Sequence, residues 1–215
     1  MTICYSLASR SRPDKFFETL DNIQTMSKEH NHFIVAKLDD DDHSMNNDFV
    51  RSKIVSYPSV MVKWGKSISK IHAINRDLDD IPKWDIMICV SDDMRFRTYG
   101  YDDIIRQHMP EDLDGFLHIK DDYAKEKVCT VSIIGRKYYE RDGYIYNPAY
   151  YSLWCDNEAH EIAVLRGCYK EIPGSIEHLH YTAGKASKDQ LYKRNDTYHE
   201  DQRIFNERKA NNFYL

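Results

Sequence analysis

The stretch Trp84-Asp85-Ile86-Met87-Ile88-Cys89-Val90-Ser91-Asp92-Asp93 decides the fold. Its apolar run reads as a buried strand. The adjacent carboxylates that follow deliver hard oxygen ligands to one fixed point at a sheet's edge. That arrangement holds Mg²⁺ or Mn²⁺ against the phosphates of a nucleotide. Side by side, two carboxylates repel unless a cation or hydrogen bonds relieve them, so Asp92 and Asp93 are expected as an exposed pair that meets a cation.

Working outward, Thr2 to Leu7 reads as a strand, followed by the turn Ala8 to Pro13 and a helix from Asp14 to Ser27 with Phe17, Leu20 and Ile23 at helical spacing. His32 to Leu38 is a second strand, ending in Asp39-Asp40-Asp41-Asp42. A short helix is expected over Asn47 to Lys53 and a short strand over Val60 to Val62. Gly65-Lys66-Ser67 then opens a helix from Ile68 to Leu78. Strands alternating with helices predict a mainly parallel α/β sheet whose ligands gather at the strands' carboxyl ends. Beyond residue 100 the texture changes. Tyr101 to His108 reads as a helix, Gly115 to Ile119 and Val128 to Gly135 as strands, Asp156 to Arg166 as an amphipathic helix, and Lys185 to Asn211 as a polar helical segment. Alternation in Ile176-Glu177-His178-Leu179-His180 implies a strand with both histidines on one face.

The chain has 215 residues, 41% of them hydrophobic and 30% charged, enough for one sizeable core and short for two. No repeat or linker marks a boundary, so a single domain over 1–215 is expected. A net charge of −5 argues against a protein that coats nucleic acid by bulk charge. Lys185, Lys188, Lys193 and Arg194 form a small basic group that can follow phosphates. Five cysteines without CxxC spacing read as buried thiols in a reducing compartment. With no export signal and no run of about 18 apolar residues, a soluble protein of the cytoplasm is expected, a viral protein in its host included.

The order of these motifs resembles the family 2-like glycosyltransferases of the GT-A fold. The opening strand with its Ser/Arg/Pro turn, the acidic turn after the second strand, Gly65-Lys66-Ser67 with Asn75 on the next helix, Ser91-Asp92-Asp93 in place of the family's DxD, Asp156-Asn157-Glu158, and His178-Leu179-His180 carry the likeness. It implies a single Rossmann-like domain with helices on both sheet faces, residues 1–95 binding the nucleotide sugar and 96–215 the acceptor. The implied reaction is metal-dependent transfer of a sugar from a nucleoside diphosphate sugar to a hydroxyl, with inversion. The acceptor is a saccharide, a lipid-linked precursor or a hydroxymethylated base of viral DNA.

By the same resemblance Asp39, or else Asp41, faces the base, Asp93 binds Mn²⁺ or Mg²⁺, and Asp92 contacts ribose or a metal-bound water. His178 or His180 completes the metal site, as imidazole suits Mn²⁺ better than Mg²⁺. Asp156 or Glu158 is the general base. Lys66, at a glycine turn opening a helix, and Arg10 and Arg12 are diphosphate candidates. Ser91 departs from the family at the first acidic place. Two other classes share the pattern: a metal-dependent nuclease or nucleotidyltransferase, and a nucleotide-sugar-binding module without turnover.

Overall fold

The computed structural model describes the whole chain except His30, residues 123–127, Thr182, Ala183, Ala186, Lys188, Asn195 and the side chain of Tyr192. Lys188 of the basic group therefore lies outside the described residues. The strands are β1 (Ile3–Ala8), β2 (His32–Asp39), β3 (Val60–Gly65), β4 (Ile86–Val90), β5 (Met94–Phe96), β6 (Phe116–Asp121), β7 (Ile133–Gly135) and β8 (Tyr169–His178). The helices are α1 (Pro13–Met26), α2 (Asp48–Ile54), α3 (Lys70–Asn75), α4 (Tyr101–His108), α5 (Arg136–Glu140), α6 (Cys155–Leu165), α7 (Gln190–Arg194) and α8 (Tyr198–Ala210).

All eight strands form one sheet in the order β3-β2-β1-β4-β7-β6-β8-β5. β1 to β4 pair in parallel. β7 is antiparallel to both β4 and β6. β8 runs parallel to β6, and β5 antiparallel to β8. β1, β2, β3, β4, β6 and β8 therefore share one direction, as the sequence implies.

β4 is buried at every position, because helices cover both faces. Ile3, Tyr5 and Leu7 of β1 pack with Phe16, Leu20 and Ile23 of α1 and Ile105 of α4 on one face. Cys4, Val35 and Met87 pack with Ile71 of α3, Ile162 of α6 and Phe205 of α8 on the other. Local chemistry sets the helix starts: Pro13 occupies the first turn of α1, and the Asn47 and Ser69 side chains accept the backbone N–H of Val50 and His72. All five cysteines are free, four of them buried and Cys168 half-buried. Among the described residues no helix is long and apolar enough to cross a membrane.

Two features of β8 position the site. Its register against β6 shifts between Ile119↔Ile172 and Asp121↔Ile176, at Pro173-Gly174, where Gly174 has φ 131°. The irregularity bends the strand. Beyond it β8 pairs with β5, Met94 opposite His178, and the Leu179 N–H bonds the Asp93 carbonyl at 2.7 Å. The pairing thus lays His178 beside Asp93.

Candidate active site

The carboxyl ends of the co-directional strands deliver polar side chains to one sheet edge. β1 leads into Ser9, Arg10 and Arg12, β2 ends at Asp39, β4 leads into Asp92 and Asp93, β6 ends at Asp121, and β8 ends at His178. All of these except Asp121 line a cleft of about 1020 Å³, whose other side is formed by residues of the segment 146–157 and by Tyr181, Leu191, Arg194, Asp196 and Tyr198. Arg10, Asp39, Asp92, Asp93, Asp156, His178 and His180 all border it, whereas Asp41, Lys66 and Glu158 do not. A second cavity, about 680 Å³ beside the C-terminal residues, holds no strand-end carboxylate.

Asp92 and Asp93 are not the exposed pair expected, being only 2% and 4% exposed. Asp92 accepts hydrogen bonds from the Ser9 hydroxyl at 2.7 Å and from the Arg12 guanidinium at 2.9 Å. Burial, and then the charge of Asp93, raise its carboxyl above the usual range despite those bonds. Asp93 lies 3.9 Å from Arg12 and 3.6 Å from His178 Nε2. Burial opposes charge on His178, but Asp121, 3.8 Å from its Nδ1, and Asp93 outweigh burial and lift the imidazole to about 9. The neighbouring His180, its ring centroid 5.4 Å away, is lowered to about 4 by burial and by the charge of His178.

Arg12 spans two elements. Besides Asp92 it binds Asp189, just before α7, through two N–H···O bonds of 2.8 and 3.0 Å. The fork-to-carboxylate geometry is the one arginine also uses for phosphate.

At the β2 edge, Arg10 bridges Asp39 at 2.7 Å and Asp41 at 2.5 Å. Asp41 is exposed, and its bond from Arg10 holds the carboxyl below the usual range. Asp42 serves the turn itself, accepting from the Ser11 N–H at 2.6 Å and the Ser44 hydroxyl at 2.7 Å. Lys37, two residues before Asp39 on the same strand face, is buried at the cleft floor. Its ammonium donates to Ser6 Oγ at 2.8 Å and to the Ile74 carbonyl, and burial lowers it to about 8.

The glycine turn misplaces the expected cation. Lys66 is exposed because the loop continues three residues before Ser69 caps α3. The cleft is lined instead by Ser67, Ser69 and Lys70. Lys70 was missed in the sequence; a serine cap directly before a lysine was the available signal. Asn75 at the end of α3 reaches back to the aromatic segment, donating to the Tyr146 carbonyl at 2.6 Å and accepting from the Ile145 and Tyr146 N–H groups.

On the facing wall the structure separates the two base candidates. Asp156 and Glu158 both lie in the first turn of α6, two residues and therefore about 200° apart around the helix. Asp156 borders the cleft half-buried and accepts the Asn157 N–H at 3.0 Å. Burial raises its carboxyl against the opposing charges of Lys70 and His178. Glu158 points the other way, 1% exposed, accepting from Tyr150 at 2.7 Å and from the Arg208 fork at 2.7 and 3.0 Å. Trp154, which precedes α6, has φ 63°, a left-handed value that bulky residues rarely adopt. In the basic group, Lys185 is ion-paired to Asp122 and Glu177, Lys193 is exposed, and Arg194 lines the cleft.

The residues present fit a divalent cation. Asp93 and His178 are a carboxylate and an imidazole brought together by the β5–β8 pairing, a donor set suited to Mn²⁺. Among the described residues no group of three or more His, Cys, Asp or Glu side chains gathers to hold a metal.

No protein-family model matches the chain, and no curated protein matches it in sequence. The fold is similar to that of the mannosyltransferase PcManGT from Pyrobaculum calidifontis, solved in complex with GDP-Man and Mn²⁺. The TM-score is 0.63 and the identity 13%, over 82% of this chain and 56% of that one. It is also similar to S. aureus TarS, with TM-score 0.59 and 12% identity over 82% of this chain and 35% of that one. The chain thus spans about half the length of the first and a third of the second. The architecture is a GT-A glycosyltransferase fold, a single α/β domain built on one mostly parallel sheet.

Proposed function

We propose that the chain is a family 2-like glycosyltransferase that moves a sugar from a nucleoside diphosphate sugar to a hydroxyl acceptor with inversion. The observation that carries this reading is the meeting of Asp39, Asp92, Asp93, His178 and Asp156 in one cleft at the strands' carboxyl ends, where open α/β sheets bind ligands. The complex of PcManGT with GDP-Man and Mn²⁺ supports it.

In this reading Asp39 accepts a hydrogen bond from the base, and Arg12 and Lys70 face the diphosphate. Asp93 and His178 would hold Mn²⁺ or Mg²⁺, which when bound supplies positive charge beside the departing diphosphate. A metal-ligating imidazole is neutral, so His178 would hold such a cation only after giving up its proton. Across the cleft, Asp156 takes the proton of the acceptor hydroxyl as that oxygen attacks the anomeric carbon opposite the leaving group. Its raised carboxyl lies nearer the working pH, which favours a base. Tyr146, Tyr151, Trp154 and Tyr198 offer faces to a sugar or a base ring.

Calorimetric titration with GDP and UDP, with and without Mn²⁺, tests the reading. One of the two should bind at least about tenfold more tightly with Mn²⁺, and Asp93→Ala should abolish the difference. Absence of nucleotide binding under every condition, or an equal Mn²⁺ effect in Asp93→Ala, refutes it.

A further inference from the structure

Asp201 is fully enclosed in the first turn of α8. Its Oδ1 accepts the Tyr151 N–H at 2.9 Å, and its Oδ2 accepts the Ser152 N–H at 2.9 Å, the Leu153 N–H at 2.8 Å and the Thr197 hydroxyl at 2.6 Å. Successive amides converging on one carboxylate form an anion nest. Every partner here donates, so only a group with acceptors alone fills the place without conflict.

The next residue in the chain is the left-handed Trp154, with φ 63° and ψ −10°. That conformation is strained for a residue with a Cβ. It persists where the surroundings over-determine the backbone, and α8 does so twice. Asp201 pins the three preceding amides, and Tyr198 and Phe205 pack on the indole with ring centroids at 5.4 and 5.1 Å. The Tyr151 carbonyl in turn accepts the Ile71 N–H at 3.2 Å, joining the turn to α3. Two residues beyond Trp154 comes Asp156.

We propose that Asp201 is a positioning residue for sugar transfer: by fixing the turn 151–153 it aims Trp154 and Asp156 into the cleft while touching neither substrate. The role rests on the reading of Asp156 as the base. A displacement of about 1 Å at a reacting group can cost about a hundredfold in rate, and among the described residues no other side chain holds three amides of this turn.

Asp201→Asn preserves the shape and sets an amide NH₂ against backbone donors. Release of nucleoside diphosphate from GDP- and UDP-sugars with Mn²⁺ should show kcat reduced about 10- to 100-fold, with the Kd for the nucleotide within twofold. The acid limb of the kcat profile should move to lower pH, because a loosened turn hydrates Asp156. A lowered Tm with kcat per folded molecule and the acid limb unchanged would overturn the proposal. If Asp201→Asn does not fold, hydrogen exchange in the unmodified protein decides. Amides 151–153 exchanging as slowly as those of β4 support the role, and exchange at exposed-loop rates refutes it. Asp156→Asn separates the two levels. If it retains full turnover, the underlying reading fails; if it loses turnover while Asp201→Asn is unaltered, only the positioning role fails.

Discussion

Replacing Lys37 by methionine removes a cation that the fold holds in the sheet interior at the floor of the cleft. Burial lowers this ammonium from 10.5 to about 8, a difference worth about 3 kcal/mol. The sign follows from proton counts. Below pH 8 both folded and unfolded chains carry the charge, and the folded state bears the full penalty. Between pH 8 and 10.5 the folded chain gives up its proton while the unfolded chain keeps it, so stability rises with pH. Methionine has a similar length and nothing to titrate. At pH 7 the gain from losing a buried charge is offset by the stranded Ser6 hydroxyl and Ile74 carbonyl, leaving the two proteins within about 2 kcal/mol. Urea denaturation at intervals from pH 7 to 10.5 should therefore show the original protein gaining about 3 kcal/mol on Lys37→Met as pH rises. Buried tyrosines such as Tyr5 and Tyr146, whose hydroxyls burial raises, act in the opposite direction in both proteins and cancel in the difference. Parallel profiles across the whole range would refute the reasoning.

Asp156→Asn should lower kcat by about 10²- to 10⁴-fold with nucleotide affinity retained. In the unmodified protein, the proposed transfer should fall with acid at a pH above the usual carboxylate range, because a base works only when ionised and burial raises the Asp156 carboxyl; a limb within the usual carboxylate range would contradict this. Asp189→Asn should tighten nucleoside diphosphate binding about fivefold in calorimetry, since the acid competes for Arg12 through two charge-assisted bonds from a one-third-exposed position, worth roughly 1 kcal/mol. Unchanged or weaker affinity would show that Asp189 does not compete with phosphate.

The elements from β1 to α4 were legible where they are long and strongly patterned. β4 lies where its apolar run lies, β1 is displaced by one residue at both ends, β2 runs one residue further at its end, and α4 spans Tyr101–His108 as read. The errors have physical causes. β5 is three residues long, too short for any period to show. Pro173-Gly174 hid the first half of β8, because a proline and a left-handed glycine ordinarily end a strand, whereas here they form a bulge. α3 is shorter than expected, since Arg76 leaves helical geometry to bind the Leu38 and Lys63 carbonyls. Within the site, Asp156 and Glu158 were indistinguishable in sequence because the deciding partner, Arg208, lies 50 residues away. Asp121 carried the same local signal as Asp92, an adjacent carboxylate pair (Asp121-Asp122) after a strand, and was passed over; Asp201 did not stand out, since the amides it binds lie about 50 residues away.

Helix α8 gives the cleft wall a single side chain, Tyr198, yet its inner face carries Asp201, Phe205 and Arg208, each gripping the segment that runs from Tyr150 to Glu158. On the proposed reading, a protease nick or a competing protein that undocked this one helix would spare nucleotide-sugar binding and stop transfer. The side chains Glu200, Arg203 and Glu207 face outward on the same helix, exposed.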